Sequence, residues 1–242
     1  MSTKPETLTI ANIHIDVNRK NIKNIHLSVN PPDGGVRISA PVHTDPEVIR
    51  LFAISKLAWI KKHIKGFQEQ QRETPRTLVN GESHYFQGNR YLLEVVETQG
   101  THRVEISGKK LKLFVRPSTS MENRARVLRE WYRQYLKQEI PPIIEKWTPI
   151  MEVDVKDWGI KLMRTKWGAC NVDAGRIWLN LHLAKKPPIC LEYIIVHEMV
   201  HLLEQRHHNN RFIALMNHFM PHWRLHRDEL NRLPLAHEDW GY

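Results

Sequence analysis

Hydrophobic and polar positions alternate through much of the first 116 residues. Leu8, Ile10, Ile13 and Ile15 keep an imperfect period of two. Ile25, Leu27 and Val29, then Val36, Ile38 and Ala40, alternate cleanly on either side of Pro31-Pro32-Asp33-Gly34-Gly35. Side chains two apart on a strand share a face, so these two runs predict a hairpin whose turn is the Pro/Gly segment. Thr44-Asp45-Pro46-Glu47 then marks a helix start, with Asp45 as N-cap and Pro46 in the first position. Val48, Leu51, Phe52, Ser55, Trp59 and Ile60 continue at helical spacing. The polar stretch 68–76 ends in Thr74-Pro75 and reads as a linker. Beyond it, short runs at 83–86, 91–96, 104–106 and 111–115 are separated by Gly81, Gly88, Gly100 and Gly108, which predicts a meander of short strands.

The pattern then changes period. Leu128, Trp131, Tyr132, Tyr135 and Leu136 fall on one side of a helix predicted over 121–140, with Pro141-Pro142 expected to interrupt it. Residues 158–163 and 175–183 read as strands flanking the segment KWGACN at 166–171. Pro187-Pro188 introduces an apolar helical run, and 211–218 and 221–232 read as further helical pieces. The expected organisation is a β-rich module with one helix over 1–116, followed by a second domain over 117–242.

Composition narrows the class. A chain of 242 residues with 41% hydrophobic positions has enough apolar material for a substantial core. No run of eighteen apolar residues occurs, which excludes a transmembrane helix, and the opening MSTKPETLTIANIHID lacks the pattern of a signal peptide. Two cysteines, Cys170 and Cys190, are too few for a disulfide framework and fit a reducing, cytoplasmic setting. The net charge of +10 favours anionic partners. Its basic residues are scattered, which gives nucleic acid weak support. Arg124, Arg126, Arg129 and Arg133 sit on the long helix, either as a solvated face or facing phosphates.

The candidate chemistry lies in the apolar run. His197-Glu198-Met199-Val200-His201 is an H-E-x-x-H set among Ile194, Ile195, Val196, Leu202 and Leu203. Residues four apart share a helix face, so His197 and His201 can hold one zinc ion. Glu198, one step round, is then free to act as general base on a water molecule. Burying such polar groups in an apolar helix is costly unless something satisfies them. His207 completes H-E-x-x-H-x-x-x-x-x-H, the metzincin ligand spacing, with Glu204 where that pattern has Gly. His218, His222 and His226 also fall four apart, but Pro221 breaks their register.

Three stretches together resemble the YgjP-like metallopeptidase family, a zincin group near the SprT-like and WLM proteases. They are NRKNIKNIHLSVNPPDGGVRISAP at 18–41, RTKWGAC at 164–170 beside the family's S-R-W-G-S-C, and residues 194–212 with MPHWRLHRDELN at 220–231. The resemblance implies an α+β protein in which a zincin-like domain with the H-E-x-x-H helix follows the β-rich module. It also implies a zinc hydrolase, most simply a peptidase acting on peptide or protein substrates. Counting forward from His201 makes His207 the third ligand. Counting back from the Arg211-Phe212 pair makes it His208. Arg164, Lys166 and Trp167 are the expected substrate-binding residues. A nucleoside-triphosphate pyrophosphatase, with Arg164 and Lys166 on phosphate oxygens, and a nucleic-acid binder with a structural zinc are the alternatives.

Overall fold

The computed structural model describes residues 6–30, 34–69, 77–163, 166–204 and 208–232. The chain divides into two compact units, residues 1–71 and 72–242. The division falls inside the polar stretch expected to be a linker, and not at 116/117. The second sheet therefore belongs with the helices that follow it, because its apolar face fills the same core as theirs.

The first unit contains β1 (Glu6–Ile10), β2 (Ile13–Lys20), β3 (His26–Asn30), β4 (Gly35–Pro41), α1 (Pro46–Ser55) and α2 (Leu57–Glu69). The imperfect alternation near the start is a hairpin. Ala11 and Asn12 form its two-residue turn with φ of 47° and 64°, a left-handed pair made without glycine. β3 and β4 pair antiparallel with Val29 opposite Val36, and their turn residues 31–33 lie outside the described residues. Asp45 caps α1 as expected, accepting from the Glu47 N–H at 2.8 Å. Ile15, Val17, Val36 and Ile38 from the sheet pack with Ile49, Ala53 and Ile60 from the helices.

In the second unit, β5 (Ser83–Phe86), β6 (Asn89–Glu97), β7 (Arg103–Ser107) and β8 (Lys110–Val115) occupy the expected runs. They are not a meander. The order is β5-β6-β8-β7, with β6 and β8 parallel, and the first sheet repeats that plan as β1-β2-β4-β3. Turn signals locate strand ends but carry no pairing order, which is why the meander was the wrong expectation.

α3 (Met121–Met151) runs through Pro141 and Pro142 without a break. Leu128, Tyr132, Leu136, Ile140, Ile144, Trp147 and Met151 keep one buried face on both sides of the prolines. That continuous packing outweighs the lost backbone hydrogen bonds. Arg124 donates to the Leu78 and Thr119 carbonyls and Arg133 to the Ile160 carbonyl at 2.9 Å. Two of the four arginines considered for phosphate contact are thus occupied in holding the fold.

β9 (Asp157–Lys161), β10 (Gly168–Asn171) and β11 (Arg176–Asn180) form a third sheet in the order β10-β11-β9, leaving β10 at its edge. The segment read as lying between two strands is itself a strand, and residues 181–183 turn into a 3₁₀ helix (Leu181–Lys185). α4 (Pro188–Leu203), α5 (Asn210–Phe219) and α6 (Trp223–Arg232) complete the unit. α4 is fixed from two sides. Glu192 accepts from Lys146 Nζ at 2.7 Å and Trp147 Nε1 at 2.9 Å on α3. At its start, Gly88 of the β5–β6 turn lies so close to Pro187 that a Cβ would stand 2.7 Å from the ring.

None of the described helices is long and apolar enough to cross a membrane. Leu136 is fully buried in α3 at the centre of the shared core. Leu136→Ala is expected to destabilise the protein by about 2–5 kcal/mol in denaturant unfolding. A loss below about 1 kcal/mol would contradict that placement.

Candidate metal centre

The helix that carries the candidate chemistry is enclosed by apolar side chains. Pro188 opens α4, where a missing N–H costs nothing. Cys190, Leu191, Ile194, Ile195, Val196, Met199 and Val200 are buried around almost its whole circumference. The enclosure opens on one side. There His197 and His201, one turn apart, place their rings 5.1 Å from each other. α4 ends at Leu203, and Glu204 caps it in an extended conformation with φ −132° and ψ 99°. A helix leaving this way needs no left-handed residue, which is why the turn is made without glycine.

α5 restarts the chain at Asn210, with Asn209 as N-cap accepting from the Phe212 N–H at 2.9 Å. His208, just before this cap, places its Nε2 3.0 Å from His197 Nε2. Ligand atoms of His197, His201 and His208 all lie within 4.8 Å of one another. Among the described residues, His218, His222 and His226 form no such group. Phe212 is buried against all three rings, at 4.9, 4.7 and 4.6 Å between centroids. His208 is thus the histidine selected by counting back from Arg211-Phe212, since the cap and Phe212 belong to one helix start. His207 and Arg164 lie outside the described residues.

Burial dominates the electrostatics. His197 is pushed down to about 3 by burial, with His201 and His208 adding to the shift, so it is neutral and offers a lone pair. His201 is lowered chiefly by burial as well, and its Nδ1 lies 3.4 Å from the Glu204 carbonyl oxygen. Glu198 is raised to about 8 by burial, against an opposing pull from the Lys166 charge. Cys170 is pushed up to about 11 by burial and by Glu198, which keeps its thiol protonated.

These groups line a cleft of about 460 Å³. Lys166 and Trp167, both expected substrate contacts, stand in its wall with Gly168, Tyr193 and Arg227. Asn180 holds that wall in place. Its Nδ2 donates to the Met163 and Lys166 carbonyls at 2.9 and 2.8 Å, and its backbone N–H donates to the Trp167 carbonyl at 2.9 Å. Gly168 has a steric role that the sequence did not signal. A Cβ there would stand 2.4 Å from Glu198 Oε1 and 2.8 Å from its Cγ. The glutamate is buried, so an added Cβ would have to displace its side chain. Gly168 therefore lets β10 pass directly over Glu198.

The donor set fits a metal ion. Two nitrogens bound to one zinc at tetrahedral angles stand about 3.3 Å apart, close to the 3.0 Å between the His197 and His208 nitrogens. Three imidazoles converge, two of them held neutral chiefly by burial, and together they offer lone pairs to one cation.

Three converging imidazoles, two of them on α4 beside the Glu198 carboxyl, suit a metal-dependent hydrolase. The chain belongs to the YgjP-like family: residues 23–233, most of its length, match the family described as "YgjP-like, metallopeptidase domain". A comparison with curated proteins found no match.

Two measurements on metal-free protein check the site. The unfolded Glu198 carboxyl ionises near 4.5, whereas the folded one keeps its proton to about 8. Its ionisation therefore costs stability as pH rises through that range. His197 works in the opposite direction, costing stability as pH falls from 6.5 towards 3. The two slopes cancel between 4.5 and 6.5, so stability should fall between pH 6.5 and 8 from the Glu198 contribution alone. Melting curves with chelator should show this fall in wild type and its loss in Glu198→Gln. Equal slopes would refute the burial. Separately, Gly168→Ala should cost about 1–3 kcal/mol through overpacking, and Glu198→Ala in the same chain should restore most of the loss. Additive losses would show that the two residues do not press on each other.

Proposed function

We propose that this protein is a zinc-dependent peptidase whose metal is held by His197, His201 and His208 and whose general base is Glu198. The supporting observation is the convergence of three imidazoles beside a buried carboxyl, at the edge of a sheet. The described donor group has three members, which leaves a coordination position for chemistry, whereas structural zinc sites have four protein ligands. When bound, a zinc ion supplies a Lewis acid that polarises the scissile carbonyl, and its charge favours the ionised form of Glu198.

The protein's own groups divide the remaining work. β10 is an edge strand, and an extended peptide laid along it would hydrogen-bond through its backbone and pass over Glu198 at Gly168. The Glu198 carboxylate takes a proton from the attacking water and delivers it to the leaving nitrogen. Lys166 lies close enough to influence Glu198 and would steady the negative oxygen of the tetrahedral intermediate. Trp167 and Tyr193 give the cleft apolar walls for side chains beside the cut bond.

Purified wild type is expected to carry about one zinc per chain and His197→Ala to lose it. Glu198→Gln should keep the metal and lose turnover by about a hundredfold or more. A screen of unstructured proteins and nucleoside triphosphates, with Glu198→Gln alongside, decides the substrate class. Cleavage of a triphosphate that depends on Glu198, without proteolysis, would overturn the peptidase reading. Zinc content unchanged in His197→Ala would overturn the metal site itself.

A further inference from the structure

Two of the three candidate ligands ride on a buried helix, but the third does not. His197 and His201 belong to α4, whereas His208 is exposed and sits in the six-residue connection 204–209 between α4 and α5. A ligand that no helix carries must lose backbone freedom on binding metal unless its neighbours already hold it, and affinity falls accordingly. Something in this chain must therefore set His208 in place beforehand, if the site is as read above.

Glu204 is placed to do so. Its backbone N–H completes α4 by donating to the Val200 carbonyl at 2.9 Å, so its own position is set by the helix. From there its carboxylate reaches across the connection. Oε1 accepts from Asn209 Nδ2 at 3.1 Å, and Oε2 lies 3.5 Å from Arg211 Nε. Asn209 in turn caps α5 through the Phe212 N–H, and Phe212 packs against all three imidazoles. The carboxylate joins the end of one helix to the start of the next, with His208 adjoining the joined residue. The side chain is mostly covered, at 19% exposure, while Arg211 is 72% exposed. The Asn209 bond is consequently the stronger of the two links, since an exposed ion pair contributes little.

We infer that Glu204 is a positioning residue for the metal site, clasping the α4–α5 connection through Asn209 so that His208 is held beside His197 and His201 before any ion arrives. Its carbonyl has a related effect on His201. Standing 3.4 Å from Nδ1, it would accept a hydrogen bond from that nitrogen and leave Nε2 of the ring free as a donor atom. The residue that replaces glycine in the metzincin spacing thus takes over the shaping of the turn.

This inference rests on the metal reading and is tested by zinc affinity, measured by competition against a chelating indicator, with no substrate needed. Glu204→Ala should weaken zinc binding about 10- to 100-fold, the range for losing a group that orients a metal ligand. Glu204→Gln keeps an acceptor for Asn209 and should stay within about threefold of wild type. Asn209→Ser retains a helix cap but removes the Nδ2 amide that reaches Glu204 and leaves only a shorter hydroxyl, so it should reproduce the Glu204→Ala loss even if that variant folds poorly.

A double-mutant cycle separates positioning from general stability. In a His208→Ala background, Glu204→Ala should cause no further loss of affinity. Wild-type affinity in both Glu204→Ala and Asn209→Ser, or losses that add to that of His208→Ala, would overturn the inference. If His197→Ala and His208→Ala both bind zinc as wild type does, the metal reading fails first, and that result is distinct from a clasp without effect.

Discussion

A buried carboxyl group and a largely buried imidazole at adjacent positions of one enclosed helix are the constraint on which the second unit depends. Neither Glu198 nor His197 can take its ordinary charge without cost where it sits. A helix meant only to fill a core would carry leucine at both places. The surrounding architecture keeps the arrangement from relaxing. Lys146 and Trp147 fix α4 through Glu192, the β5–β6 turn presses on Pro187, and β10 covers Glu198 so closely that a Cβ at 168 would press on its side chain. Unfavourable burial of this kind, retained in an otherwise well-packed core, marks a place where function outweighs stability.

The same enclosure explains how a cleft forms against so apolar a helix. The 166–170 segment forms one wall, and Asn180 secures it with hydrogen bonds to the Met163, Lys166 and Trp167 carbonyls. Phe212 packs against the three imidazoles, holding their rings close together while the open side keeps Lys166 and Trp167. The cleft wall and the cluster of imidazoles thus share one small set of supports, drawn from a sheet edge and two helix ends.

Much of this was legible in the residues. H-E-x-x-H fixed the face of α4, the Pro/Gly segment fixed the β3–β4 hairpin, and Asp45-Pro46 fixed the start of α1, because each is a local rule read over a few positions. What stayed hidden was non-local. Nothing in the alternation of β5 to β8 says that β6 pairs in parallel with β8, and the prolines of α3 outvoted by a continuous apolar face could be judged only once that face had partners. The domain boundary was misplaced for the same reason, since β-rich composition does not reveal which core a sheet fills. Forward spacing from His201 pointed to His207, and counting back from Arg211-Phe212 pointed to His208. The Arg211-Phe212 pair carried the signal, because Phe212 must reach the imidazoles from the start of its own helix. Gly168 and Glu204 act through close approach and through a clasp across a turn, neither of which has a sequence period.

The central claim is that His197, His201 and His208 share one zinc ion and leave room for a further ligand. X-ray absorption at the zinc edge, on wild type and His208→Ala loaded with one equivalent of zinc, tests it most directly. The account predicts three imidazole nitrogens and an oxygen near 2.0–2.1 Å in wild type, with one imidazole fewer in His208→Ala. A sulfur neighbour near 2.3 Å, or an unchanged imidazole signal in His208→Ala, would contradict it.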